Sequence, residues 1–186
     1  MYCDKTLKEY LNDLAAKLPA PGGGSASALV ASCGAALISM VINFTLGKPK
    51  YAVYEIELKS LLEKSERLRN EFLDLVDKDV TAYQSGDIRD AVGVPFMVCR
   101  LCFEAIKLCP SLVKKGNVRL ISDVAVAVAL LEGAFTSAYY NVKINLKSLN
   151  DEKLSTSMVK ELSRKDRLIK KVRLKTEEKI GKIIGG

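Results

Sequence analysis

The chain has 186 residues, enough for one domain with a substantial core, and carries a formal net charge of +7. It has no histidine, so Ser-His-Asp and Cys-His nucleophilic arrangements are ruled out on one chain, and proton transfer falls to Asp, Glu, Lys, Tyr or water. Its five cysteines are an odd number, mostly within apolar runs, and read as reduced thiols of a cytoplasmic protein rather than a disulfide framework.

The pattern is helical throughout. A first amphipathic helix is predicted from about Asp4 to Lys17, stopping before Pro19. Gly22, Gly23 and Gly24 then turn the chain into a long uncharged helix that ends near Gly47 and Pro49. An amphipathic helix follows from about Ala52 to Gln84, closed by Ser85-Gly86-Asp87. A fourth begins near Pro95, because proline suits a first turn, and ends before Pro110. The fifth follows Gly116-Asn117 and runs to about Leu149, and a basic helix completes the chain. No alternating strand pattern competes and the connections are short. The expectation is therefore an all-α, antiparallel up-and-down bundle of five to six helices, one domain over residues 1–186.

The uncharged segment Pro19–Gly47 is long and apolar enough to be weighed as a membrane span. Its Ser, Gly and Asn content, the lack of Trp anywhere and the lack of Tyr at its ends favour the central helix of a large core instead. The N-terminal segment is charged and amphipathic from its fourth residue, unlike a signal peptide. Residues 1–142 hold as many acids as bases, about sixteen of each, so the positive surplus lies in Lys143–Gly186. That tail reads as a solvated amphipathic helix, or as a basic rim attracting a polyanion. Cys99 and Cys102 form a CxxC, but no second cysteine pair or histidine completes a zinc site.

Several polar residues fall on apolar faces. In the uncharged helix, Ser25, Ser32, Ala36, Ser39 and Asn43 share one face, and the glycines before it open its N-terminus, where free N–H groups and the helix dipole favour an anion. In the third helix, Asp79 lies within a core stripe through Leu61, Leu68, Phe72, Leu75, Val76 and Tyr83, while Asp74, Asp77 and Lys78 point away. A carboxylate so placed is costly unless paired or functional. On the fifth helix Asp123, Ala134, Ser137, Asn141, Asn145 and Ser148 share a face, with Glu132 opposite. Asp123 suits capping in a first turn, but Asn141 and Asn145 satisfy either other buried polar groups or a ligand.

Four pieces of the chain, in order, resemble the cyclodeaminase/cyclohydrolase family, best known as the C-terminal domain of formiminotransferase-cyclodeaminase. They are PAPGGGSASALVASCGAAL at Pro19–Leu37, VDKDVTAY at Val76–Tyr83, GVPFMVCRLCFEAI at Gly93–Ile106, and GNVRLISDVAVAVALLEGAFTSAYYNVKINL at Gly116–Leu146. The last departs from the family's usual GNPNAISDV-like form at Val118 and Arg119. The resemblance implies an all-helical bundle that forms a homodimer, with the active site in a groove near the subunit interface. It implies tetrahydrofolate substrates carrying a one-carbon unit, with or without a polyglutamate tail. Two reactions are open: closure of 5-formiminotetrahydrofolate to 5,10-methenyltetrahydrofolate with loss of ammonia, or opening of the methenyl bridge with water.

Both reactions pass through a tetrahedral carbon between two nitrogens and need proton transfer, which a carboxylate supplies without metal or redox cofactor. On this resemblance Asp79 is the expected proton-transfer carboxylate, with Asp123 as the other catalytic candidate. Gly22, Gly23, Gly24, Ser25, Asn117, Asn141 and Asn145 are the expected substrate-binding residues, with no metal, nucleic-acid or membrane partner. Two rivals stand against the enzyme. A nucleic-acid-binding bundle would use the basic tail but lacks stacking aromatics there. A purely structural oligomer explains the small-residue stripes but neither Asp79 nor the Asn141/Asn145 pair.

Overall fold

The computed structural model describes residues 1–185. It contains seven α-helices: α1 Leu7–Ala15, α2 Gly23–Asn43, α3 Glu55–Ser85, α4 Ile88–Ile106, α5 Cys109–Lys115, α6 Ile121–Leu146 and α7 Glu152–Ile184. Short 3-10 turns stand at Tyr2–Asp4, Pro49–Tyr54 and Val118–Leu120, and there is no strand among the described residues.

The helix ends follow local chemistry. Thr6 and Glu9 form a reciprocal capping box at α1, satisfying two of its free N–H groups. Gly86, at φ 70°, ends α3 in the left-handed region that glycine enters without a Cβ clash. Asp87 accepts from the Arg89 N–H at 2.7 Å to start α4, and Asp151 accepts from the Leu154 N–H at 2.9 Å to start α7.

That cap places the start of α4 seven residues before Pro95, the proline from which the sequence pattern begins it. Pro95 is interior to the helix. An interior proline removes the N–H that would bond the carbonyl four residues back, here Ala91. The Asn145 side-chain Nδ2 donates to that Ala91 carbonyl at 2.6 Å. A side chain from α6 thus repairs the break, and the helix continues through it.

The segment with the length and hydropathy of a membrane span is α2. In the fold it is mostly buried, against α3 on one side and α6 on the other. Ala28, Ala31, Ala35, Ile38, Val41 and Ile42 are fully buried on it. Gly34 sets the spacing: a Cβ there would lie 2.9 Å from Leu131 Cγ and 3.3 Å from the Ala127 carbonyl, so α2 and α6 touch closely only because Gly34 has none. The serine face of α2 is turned to α3, where Ser32 Oγ donates to the Arg69 carbonyl and Ser39 Oγ meets Ser65 Oγ at 2.8 Å. Helix α4 packs on α3 and α6, and α7 lies outside α6 and α4.

Helix α7 buries Leu162, Ile169, Thr176 and Ile180. Arg173 pairs with Glu132 of α6 and with Glu177, and Lys170 with Asp166. Arg100 of α4 makes a two-bonded pair with Glu161 of α7 at 2.8 Å for each bond. The basic tail is therefore a packed amphipathic helix: Lys165, Lys170, Arg173 and Lys182 are in ion pairs, and its other lysines and arginines are exposed. Cys99, Cys102 and Cys109 are buried, and burial pushes their thiols up, Cys109 to about 12, so they are inert packing groups at neutral pH.

Candidate functional site

Four segments meet at one end of the bundle: the Pro19–Gly24 turn, the C-terminal part of α3, the first turn of α4 and the C-terminal part of α6. Between them is a cleft of about 280 Å³ lined by Pro19, Ala20, Gly22, Gly23, Gly24, Asp79, Tyr83, Ala91, Asn141 and Asn145. The Ala20-Pro21 peptide in its rim is cis. No lysine or arginine lines it.

Asp79 is the single ionisable carboxylate in the cleft wall. It sits at the N-terminus of α2, where its Oδ2 accepts the Ser25 backbone N–H at 2.8 Å. Burial raises its pKa, and the Ser25 N–H bond pulls the other way and does not cancel it. The free N–H of a helix N-terminus favours an anion, and here the protein's own carboxylate takes that place. Gly24 makes the approach possible, since a Cβ on it would stand 2.6 Å from Asp79 Cγ and collide with the carboxylate oxygens.

Asn141 and Asn145 project from α6 into the same cleft one turn apart. Asn141 Nδ2 donates to the Ser137 carbonyl at 3.0 Å, and its amide lies over Gly23. Asn145 Nδ2 is committed to Ala91. The cost of losing it is testable: Asn145→Ala leaves the Ala91 carbonyl unpaired and is expected to lower stability by about 1–3 kcal/mol. Adding Pro95→Ala restores the missing N–H and should recover much of that loss in thermal denaturation. A double variant no more stable than Asn145→Ala alone would refute this role.

The other sequence-derived candidates lie elsewhere. Ser25 is fully buried beneath the cleft floor, its Oγ bonded to the Tyr10 hydroxyl at 3.1 Å. Asn117 is buried at the opposite end of α6: its N–H donates to Thr45 Oγ1, its Nδ2 to the Phe44 carbonyl, and its Oδ1 accepts from the Arg119 N–H. It ties the turn before α6 to the end of α2. Asp123 is in the first turn of α6; eighteen residues from Asn141 at 1.5 Å per residue puts it roughly 27 Å away along the helix. Within one chain it does not share the cleft with Asp79.

Two details correct the sequence pattern. Tyr83 is exposed on the cleft rim rather than part of the core stripe. Asp77 does not point away: it is buried, accepting the backbone N–H groups of Tyr2 at 2.5 Å and Cys3 at 3.3 Å. A larger groove of about 380 Å³ between α4 and α7 is a different kind of place. Its Glu161 is held by Arg100 and Lys165, and the Lys165 ammonium stands 4.2 Å from the Phe103 ring centre, so its charged groups serve the joint between the helices. Among the described residues no group of three or more His, Cys, Asp or Glu is placed to hold a metal ion.

The family described as formiminotransferase-cyclodeaminase matches residues 6–87 and 85–164. The chain belongs to that family. Within the formiminotransferase-cyclodeaminase family it is similar to a methenyltetrahydrofolate cyclohydrolase of Methylorubrum extorquens, 36% identical over 182 aligned residues, covering 86% of this chain and 88% of that one. It is 30% identical over 173 residues to the formimidoyltransferase-cyclodeaminase of Rattus norvegicus, covering 80% of this chain and 32% of the rat protein. Its fold superposes on the crystal structure of formiminotetrahydrofolate cyclodeaminase from Thermotoga maritima with a TM-score of 0.94 at 28% identity, covering 99% and 100% of the two chains. The family match spans every element that builds the cleft.

Proposed function

We propose that this chain is a tetrahydrofolate one-carbon enzyme, a methenyltetrahydrofolate cyclohydrolase or a formiminotetrahydrofolate cyclodeaminase, with Asp79 moving the proton. The observation that carries the proposal is the Asp79 carboxylate held on the α2 N-terminus in a cleft whose wall offers it no cation. The two reactions are variants of one step at the carbon bridging N5 and N10. In the hydrolytic direction water adds to that carbon, Asp79 takes a proton from the water and delivers it to N5 as the N5–C bond breaks, and the second proton of the water leaves to solvent. In the deaminating direction N10 adds to the formimino carbon and its proton passes to the formimino nitrogen. The resulting amino group takes a second proton from the Asp79 carboxyl, the bond from carbon to that nitrogen breaks, and ammonia departs to leave the methenyl cation. Neither step calls for metal or redox chemistry, and the raised pKa of Asp79 brings it nearer the range where it exchanges a proton readily.

Asn141 and Asn145 offer amide groups to hydrogen-bond the folate ring system, and Tyr83 closes the rim. Purified protein should accelerate the loss of the near-ultraviolet absorption of methenyltetrahydrofolate, and ammonia should change the product if deamination is its reaction. Absorption decaying at the uncatalysed rate with and without ammonia would sink the proposal.

We further propose that the enzyme works as a homodimer in the cytoplasm. The outward faces of α2 and α6 support this: Val30, Cys33, Phe44, Val126, Tyr140 and Ile144 are exposed at near-heptad spacing, with no charge along that side of α2. A two-fold pairing there with α2 helices antiparallel brings the Asn117/Asp123 end of one copy toward the cleft of the other. Light scattering at micromolar concentration is expected to report a dimer, and Val30→Glu combined with Val126→Glu a helical monomer. A stable monomer for the unaltered chain contradicts the proposal.

A further inference from the structure

The first turn of α2 has a mechanical difficulty. Gly24 must lack a side chain for Asp79 to dock, and Gly22 and Gly23 beside it add still more backbone freedom. A turn built from three glycines frays, yet its Ser25 N–H is the group that holds Asp79. Ser25 is the first residue of the helix with a side chain to grip. What grips it is Tyr10 of α1, buried, with its hydroxyl 3.1 Å from Ser25 Oγ.

Tyr10 is itself braced. Its ring meets the Tyr2 ring edge-on, with centres 5.4 Å apart and planes at 90°. Tyr2 is held in the N-terminal 3-10 turn, whose Tyr2 and Cys3 N–H groups donate to Asp77, while the Tyr2 hydroxyl donates to Asp13 at 3.0 Å. Asp77 and Asp79 are two residues apart on α3. The contacts therefore form a closed circuit from Asp79 to Ser25, to Tyr10, to Tyr2, and back to Asp77 on the same helix. Nothing in that circuit except Asp79 reaches the cleft.

We propose that Tyr10 is a positioning residue for Asp79, acting through Ser25 by fixing the glycine-rich first turn of α2. The inference rests on the reading of Asp79 as the proton-transfer group, but its geometry is testable without substrate. The groups facing Asp79 are the Ser25 N–H of α2, Tyr10 of α1, Tyr83 on its own helix, and Asn141 and Asn145 of α6; none is charged at neutral pH. The Ser25 N–H is the one contact that favours the ionised carboxylate. Loosening it must raise the Asp79 pKa further.

The experiment compares Tyr10→Phe, Ser25→Ala and the double variant. Each single variant deletes one end of the same hydrogen bond and keeps ring or backbone in place. The Asp79 carboxyl resonance, followed by carbon NMR against pH without ligand, is expected to titrate at higher pH in both. With methenyltetrahydrofolate, kcat should fall about fivefold to tenfold, the pH limb set by Asp79 should move up, and KM should change less. The double variant should lose no more than the worse single variant, because both break one bond. An unmoved Asp79 titration in both folded variants, or additive effects in the double, overturns the proposal. If Tyr10→Phe does not fold, Ser25→Ala alone decides by the same titration. Absence of turnover in the unaltered protein sinks the folate reading and leaves the titration result standing.

Discussion

Asp79→Asn is expected to lose about 10²–10⁴-fold in kcat while folding as well as the parent or better. The two halves of that expectation share one cause. Burial raises the Asp79 pKa, so the folded state binds the proton more tightly than the unfolded chain does. The sign of the linkage follows: the stability associated with this carboxyl is fully present below its unfolded pKa and is lost as pH rises through its higher folded pKa. At neutral pH the ionised Asp79 is therefore a burden on the fold. Asparagine keeps the shape and can still accept the Ser25 N–H through its amide oxygen, without carrying a charge into the cleft wall. Thermal unfolding should show Asp79→Asn matching or exceeding the parent at neutral pH, with any advantage shrinking as the pH is lowered through the carboxylate range. An Asp79→Asn protein that turns over within a few-fold of the parent removes Asp79 from the mechanism. One that is inactive but markedly less stable at neutral pH makes Asp79 a structural group.

Much of this site can be read in the sequence because helical periodicity reports faces. Asp79 stands out in the α3 stripe, and Asn141 and Asn145 fall one turn apart on an α6 too apolar to need them. The glycine run before α2 marks a close approach. What it does not reveal is which partner approaches: the guest at the α2 N-terminus is Asp79 itself, from fifty-four residues along the chain. Periodicity also says nothing about groups supplied by other helices. Pro95 looks like a helix start until Asn145 is seen bonded to the carbonyl it orphans, and Asp77 looks like a surface residue until the N-terminal turn is seen closing over it. Asp123 and Asn141 share a helical face, but a shared face is not a shared site when five turns separate them. Tyr83 follows the α3 stripe loosely, but eight residues turn it about 80° away from Leu75; the face of Leu75 continues at Ala82, which is buried, while Tyr83 stands on the cleft rim.

The three glycines should respond to alanine in a graded order, and Gly24→Ala is expected to abolish most turnover while sparing the fold. A Cβ at Gly22 meets nothing within 4 Å. Gly22→Ala should keep activity within a few-fold and shift stability by no more than about 1 kcal/mol, the effect of a poorer N-cap. A Cβ at Gly23 reaches the Asn141 amide at 3.4 Å, an ordinary contact, and the effect should be modest and carried by KM. At Gly24 the Cβ would occupy the space of the Asp79 carboxylate. The carboxylate is the free end of a side chain, so it can swing away, and alanine favours the helical backbone over glycine by roughly 0.5–1 kcal/mol. Stability should therefore change little. Asp79, however, is pushed off the Ser25 N–H, and a displacement of about 1 Å at a reacting group can cost on the order of 10²-fold in rate. Because the damage passes through Asp79, adding Gly24→Ala to Asp79→Asn should slow the enzyme little further. Equal activities for the Gly22, Gly23 and Gly24 variants would show that the carboxylate does not depend on this contact. A Gly24→Ala effect that multiplies with Asp79→Asn would mean the glycine serves the ligand directly.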